Sequence, residues 1–188
     1  MIDPWNILNS RIDRDYKIFR VRVDEAKSPR NSAVGEFYTL ESSSWVNVVP
    51  LTADGQVVLI RQYRHGSREV TLEIPGGLVE GEDPGEAAVR ELLEETGFAG
   101  SPVTLMGSTN PNPAIFNNLC YTYLVEHVEL AADTSLDLHE DIDVELVPLH
   151  AIPGLIANGT INHALVIVAF HFYFQARGFP SSGPCCTR

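Results

Sequence analysis

The sequence predicts an α/β fold built on a mostly antiparallel or mixed sheet. Two observations carry this. Short apolar segments follow one another up to residue 75, each closed by a turn signal, and a single strongly marked helix then occupies about 84–96, with further strands after it. An apolar run from His163 to Phe174 could be either buried helix or strand, since periodicity does not choose between them.

The elements follow in order. Tyr16 to Val23 reads as a strand with one irregularity, and Ser28 to Ser32 as a turn. Glu36 to Leu40 is a second strand, Ser42 to Ser44 a polar link, and Val46 to Leu51 a third strand. Ala53-Asp54-Gly55 is a hairpin turn into Val57 to Tyr63. Val70 to Ile74 ends at Pro75-Gly76-Gly77 and a short acidic loop. Beyond the helix, Val103 to Ser108, Leu119 to Val125 and Val144 to Leu149 read as strands, with Asn110 to Pro113 a break and Ala131 to Asp143 an acidic irregular loop. His150 to Asn158 reads as a helix closed by Gly159, and Phe179 to Arg188 as a disordered tail.

The helix is marked at both ends. Asp83 suits the cap, Pro84 the first helical position, Glu86 lies three residues after the cap, and Gly97 suits a left-handed terminus. At about 100° per residue Ala88, Val89, Leu92, Leu93 and Thr96 share one side, and Glu91, Glu94 and Glu95 fall roughly opposite. Glu91 and Glu95 repel one another across one turn, with only Arg90 to offset them. Such a face is either a carboxylate set for a hard cation or a merely acidic solvated surface.

A chain of 188 residues, 44% apolar and 20% charged, is sufficient for one domain with a sizeable core. A net charge of -12 argues against nucleic acid or an anionic membrane as partner. Cys120, Cys185 and Cys186 form no metal or disulfide framework. Met1 to Arg20 lacks the pattern of a signal peptide, and no apolar run is long enough to span a bilayer, so the expectation is a cytoplasmic protein.

Gly76, five residues, Glu82, seven residues, then Arg90-Glu91-Leu92-x-Glu94-Glu95-x-Gly97-Phe98 resembles the Nudix hydrolase signature at every defined position. The resemblance extends from about Phe19 to Phe174, and the R-Q-Y-R stretch at 61–64 with L-E-I-P-G-G after it is similar to the ADP-ribose pyrophosphatase and nucleoside diphosphate sugar hydrolase subgroup. It implies a Nudix α/β/α sandwich, with His163 to Phe174 a buried helix. It implies an N-terminal β extension over 1–44 used in dimerisation, a Nudix domain over 45–176 and a tail over 177–188.

The resemblance also implies chemistry. The reaction is Mg²⁺-dependent hydrolysis, with Mn²⁺ as the alternative ion, of a nucleoside diphosphate sugar to a nucleoside monophosphate and a sugar phosphate. ADP-ribose is the first candidate and GDP-mannose the second. Gly76, Glu91, Glu94 and Glu95 would hold metal, with Glu82 completing the shell and Glu73 supporting the loop. Glu140 would be the general base, with Asp137 and Asp141 as alternatives in the same loop, and Arg90 would orient a carboxylate. Arg61 and Arg64, whose guanidinium forks suit phosphate, and Trp45, whose ring can stack on a base, are the substrate candidates, with Arg68 a weaker one. His163 and His171 read as capping or surface residues. The competing readings are hydrolysis of nucleoside triphosphates or dinucleoside polyphosphates, and a non-catalytic sensor of nucleotide sugars.

Overall fold

Lys17 adopts a left-handed φ of 35°, and the chain reverses there. The computed structural model describes residues 2–178. Strand β1 (Asn6–Tyr16) therefore ends where β2 (Phe19–Lys27) begins, and the two pair antiparallel with Tyr16 opposite Phe19. This corrects the expectation of one strand from Tyr16 to Val23. The alternation there was real, but it belonged to two arms of a hairpin. The first arm left little apolar signal, because every residue of β1 is exposed. β3 (Val34–Glu41) completes a three-stranded antiparallel sheet on β2.

The chain forms two compact units. Met1–Ser44 makes up the first with Thr109–Leu119, and Trp45–Ser108 makes up the second with Cys120–Arg188. Thr109–Leu119 joins the first through Leu40 N–H to the Ile115 carbonyl at 2.7 Å and Asn118 Nδ2 to the Ser43 carbonyl at 3.0 Å.

The second unit contains β4 (Trp45–Leu51), β5 (Gln56–Arg64), β6 (Glu69–Glu73), α1 (Pro84–Thr96), β7 (Phe98–Ala99), β8 (Val103–Thr109), β9 (Cys120–Glu126), β10 (Glu129–Leu130) and β11 (Ile142–Pro148). A 3-10 turn at Leu149–Ala151 then leads to α2 (Ile152–Ala157) and α3 (Ala164–Arg177). The six-stranded sheet runs β11-β5-β4-β9-β8, with β6 also on β5. β4 and β9 are parallel and the pairings of β5 are antiparallel, so the sheet is mixed. β7 and β10 form a separate two-residue pair that the sequence did not announce.

Side chains alternate across the sheet. Val46, Val48, Val58, Tyr123 and Val125 pack with Ala87, Ala88 and Leu92 of α1. Val49, Leu59, Leu72, Ile74 and Leu124 pack with Ile152 of α2 and Val166, Ala169 and Phe170 of α3. The result is the α/β/α sandwich, with the apolar run at 163–174 a helix. Arg177 belongs to α3 rather than to a tail, and the rest of the expected tail, with Cys185 and Cys186, lies outside the described residues apart from Gly178. Among the described residues no helix is long and apolar enough to cross a membrane.

Helix α1 starts and stops as its sequence dictates. Asp83 Oδ1 accepts from Gly85 N–H at 2.8 Å, and Gly97, at φ 74°, returns its N–H to the Leu93 carbonyl. Its faces differ from expectation. Ala87, Ala88, Glu91, Leu92, Glu95 and Thr96 are buried, whereas Val89 and Leu93 are exposed. The buried stripe recurs at i, i+3 and i+4 through 88, 91, 92, 95 and 96, so two glutamates lie on the inward side. A solvated acidic face is thereby excluded for Glu91 and Glu95.

Candidate active site

The turn at 75–77 is built as an added strand on β4. Val48 N–H donates to the Pro75 carbonyl and Val46 N–H to the Gly77 carbonyl, each at 2.9 Å, and Trp45 bridges Leu78 antiparallel. Successive peptide groups of an extended chain point to opposite sides. The Gly76 peptide groups consequently face away from β4, and Gly76 N–H donates to Glu95 Oε2 at 2.8 Å. A Cβ on Gly76 would lie 2.2 Å from the Val46 carbonyl oxygen, and one on Gly77 would lie 2.2 Å from Glu91 Oε1. The two glycines let the turn press onto both β4 and the helix carboxylates.

Burial pushes the Glu95 carboxyl up to about 8; the Gly76 N–H opposes this, and the charges of Glu91 and Glu140 add to it. Glu91 is raised as well, first by burial, with Arg90 opposing and Glu94 and Glu140 adding. Three carboxylates from α1 and one from the loop after β10 thus share one field. Arg90 is the local counter-charge. Its Nη1 reaches Glu91 at 2.9 Å and Glu94 at 3.1 Å, and its Nη2 reaches Glu82 at 2.8 Å and the Leu78 carbonyl at 3.1 Å.

The acidic loop before β11 is tied to the end of α1. Ser135 N–H donates to the Glu94 carbonyl at 2.8 Å, and Ala131 and Ala132 donate to the Gly97 carbonyl. Further on, Glu140 Oε2 accepts from Asp137 N–H at 2.9 Å, and Glu140 N–H donates to the Asp137 carbonyl at 3.0 Å.

A NUDIX domain family model matches residues 44–170. The chain belongs to the Nudix family. It is 25% identical over 158 residues to an ADP-ribose pyrophosphatase of Bacillus subtilis (strain 168), covering 83% of this chain and 85% of that one. It is 29% identical over 136 residues to a GDP-mannose pyrophosphatase of Yersinia pestis (strain Pestoides F), covering 68% of each. Its fold matches a crystal structure of an ADP compounds hydrolase with a TM-score of 0.82, at 23% identity, over 95% of this chain and 98% of that one.

Nudix hydrolases work with divalent cations, and this donor set fits one. Glu91, Glu94, Glu95 and the Gly76 carbonyl offer oxygen only, which hard cations take. Two of the carboxylates are buried, mutually repelling and pushed upward, a strain that a cation relieves. Among the described residues no three acidic, imidazole or thiolate groups already converge into a closed cage. Mg²⁺ keeps several of its waters and does not need one.

Arg61 and Arg64 of this Nudix protein are both engaged by carboxylates. Arg61 Nε donates to Glu145 at 2.7 Å, and Arg64 forks Glu73 through Nε at 2.8 Å and Nη2 at 2.7 Å. Trp45 stands at the start of β4, paired with Cys120 and partly buried. His171 is exposed, as expected. His163 occupies the cap position of α3 but makes no capping bond, and its Nδ1 is buried without a partner among the described residues, so the capping expectation is corrected. Sequence reasoning overlooked Gly77 and Thr71, whose hydroxyl bonds Glu73 at 2.5 Å. The doubled glycine was the available signal for the first, and the i+2 spacing to Glu73 on one strand face for the second.

Proposed function

We propose that this Nudix hydrolase cleaves the pyrophosphate bond of nucleoside diphosphate sugars, with ADP-ribose the first candidate and GDP-mannose the second. The products are a nucleoside monophosphate and a sugar phosphate. The supporting observation is the pressing of Glu91 and Glu95 against Gly76 and Gly77, with the charge of Glu140 acting on both. The names of the relatives point to the same substrate class.

Glu91, Glu94, Glu95 and the Gly76 carbonyl would hold Mg²⁺, or Mn²⁺ in its place, which would supply neutralisation of phosphate charge and acidification of bound water. Arg90 holds Glu82, Glu91 and Glu94 in register. Glu140 takes the proton of the attacking water on Oε1, while Oε2 accepts from Asp137 N–H. Arg64, with Nε and Nη2 on Glu73, turns Nη1 to a phosphate, and Arg61 turns the outer edge of its guanidinium the same way. Trp45 stacks on the base.

In this reading residues 45–176 are catalytic and 1–44 pair two copies in the cytoplasm. Trp5, Ile7, Leu8, Ile12, Phe37 and Tyr38 leave exposed apolar surface on both sides of the first unit's sheet, which a second copy covers in part. Sedimentation at micromolar concentration tests this, since a monomer sinks the dimer.

The test of function is hydrolysis of a panel with Mg²⁺: ADP-ribose, GDP-mannose, other nucleotide sugars, dinucleoside polyphosphates and nucleoside triphosphates. Turnover restricted to nucleotide sugars supports the proposal. Turnover restricted to triphosphates or dinucleoside polyphosphates moves the protein to that class, and binding without turnover makes it a sensor.

A further inference from the structure

Asn47 sits between the two hydrogen bonds that tie β4 to the glycine turn, Val46 N–H to Gly77 and Val48 N–H to Pro75. Its neighbours Val46, Val48 and Val49 are buried and apolar, and an apolar side chain at 47 would continue the strand. The chain places a carboxamide there and packs it on Gly76. A Cβ at Gly76 would fall 2.9 Å from Asn47 Oδ1 and 3.1 Å from Asn47 Cα. Asn47 Nδ2 is buried and has no hydrogen-bond acceptor among the described residues. An unmet buried N–H₂ costs free energy that alanine or valine would not.

None of the protein's own acceptors around the turn takes a hydrogen from Asn47 Nδ2. The Pro75 and Gly77 carbonyls accept from β4, and Glu95 Oε2 accepts from Gly76. The residue as a whole is only partly buried, and a half-turn about χ2 exchanges its nitrogen and oxygen, which brings the N–H₂ beside Gly76. What the amide lacks is an acceptor that arrives from outside.

We infer that Asn47 is a substrate-binding residue of this site, its carboxamide donating to a phosphate oxygen of a bound nucleoside diphosphate. The inference rests on the pyrophosphohydrolase reading. Phosphate oxygens are strong anionic acceptors. A neutral amide donates to them without repelling a cation held beside Gly76, as a lysine or arginine at 47 would.

The test uses the full chain with Mg²⁺, the panel substrate it turns over best, and ADP as binding probe. Asn47→Ala lowers kcat/KM about tenfold, mainly through KM, with an unchanged Mg²⁺ midpoint and a melting temperature no lower than wild type. Asn47→Asp, which sets a negative charge against the phosphate, lowers it at least about tenfold further. An unchanged kcat/KM in Asn47→Ala overturns the assignment. A shifted Mg²⁺ midpoint at constant KM also overturns it, since Asn47 would then act on the metal loop. A second measurement needs no variant: the side-chain amide protons of Asn47, assigned in the wild-type protein by NMR, move downfield on saturation with ADP and Mg²⁺. Resonances that stay in place overturn the inference. A wild-type protein that neither hydrolyses any panel member nor binds ADP overturns the hydrolase reading, and this assignment with it.

Discussion

Arg64 grips Glu73 with two parallel bonds, at 2.8 and 2.7 Å, and does so across the two strands whose register sets Ile60 against Glu73. The Glu73 carboxylate is 2% exposed as a residue and also accepts from Thr71, so this fork is a buried anchor on one side and an open guanidinium on the other. Burial alone would raise the Glu73 carboxyl, but the bonds from Arg64 and Thr71 hold it below the ordinary carboxylate range.

A pH dependence of stability follows. A carboxyl whose folded pKa lies below its unfolded value of about 4.3 stabilises the fold above that value and loses the contribution as pH falls through the folded pKa. Glu73→Gln therefore lowers stability by about 1–2 kcal/mol at pH 7, a figure discounted for the exposed guanidinium, and melts a few degrees lower. The two proteins converge toward acid pH. Melting temperatures from pH 3 to 7 check it, and a difference that stays constant down to pH 3 contradicts it.

Gly76 and Gly77 fail differently when given a side chain. The Gly76 Cβ would strike the backbone carbonyl of Val46 at 2.2 Å, which has no room to yield, so Gly76→Ala costs about 1–3 kcal/mol of stability and loosens the turn. The Gly77 Cβ would strike the end of the Glu91 side chain at 2.2 Å. That side chain swings away cheaply, so Gly77→Ala melts closer to wild type yet loses most of its turnover. Thermal melts paired with initial rates separate the two.

Much of this was legible in the sequence, for identifiable reasons. Helix α1 was bounded by Asp83, Pro84 and Gly97, whose local chemistry fixes a terminus without tertiary help. The strands Trp45–Leu51 and Gln56–Arg64 are buried, and their branched residues carried the signal. β1 escaped because a strand exposed along its whole length has no alternation to read. The inward turn of Glu91 and Glu95 escaped because hydrophobicity assigns carboxylates to water. Only the packing of α1 against the 75–77 turn reverses that, and contacts such as Gly76 to Glu95, 19 residues apart, are not written in either segment alone. The engagement of Arg61 by Glu145 joins β5 to β11 through a long-range register that no local pattern states.

Arg90 joins three carboxylates and one carbonyl, and no other cationic side chain in these bonds could do the same. Arg90→Lys keeps the charge but loses the fork. The expected result is a rise of about 10–100-fold in the Mg²⁺ concentration needed for half-maximal rate, with kcat at saturating metal reduced less. A Mg²⁺ titration of activity measures it, and an unmoved midpoint removes Arg90 from the positioning role.

Glu140 lies in a loop with Asp137 and Asp141, and its present bond to Asp137 N–H occupies one carboxylate oxygen. If Glu140 takes the proton from water, Glu140→Gln lowers kcat by about 10²–10⁴, while Asp137→Asn and Asp141→Asn stay within a few-fold of wild type. Glu94→Gln and Glu95→Gln lose at least about a hundredfold for a different reason, since each removes an anionic donor to the cation. Excess Mg²⁺ separates the two causes. It restores part of the rate to the Glu94 and Glu95 variants and none to Glu140→Gln. Near-normal turnover in both Glu94→Gln and Glu95→Gln would remove them from the metal site. A collapse confined to Asp141→Asn would move the base to that residue.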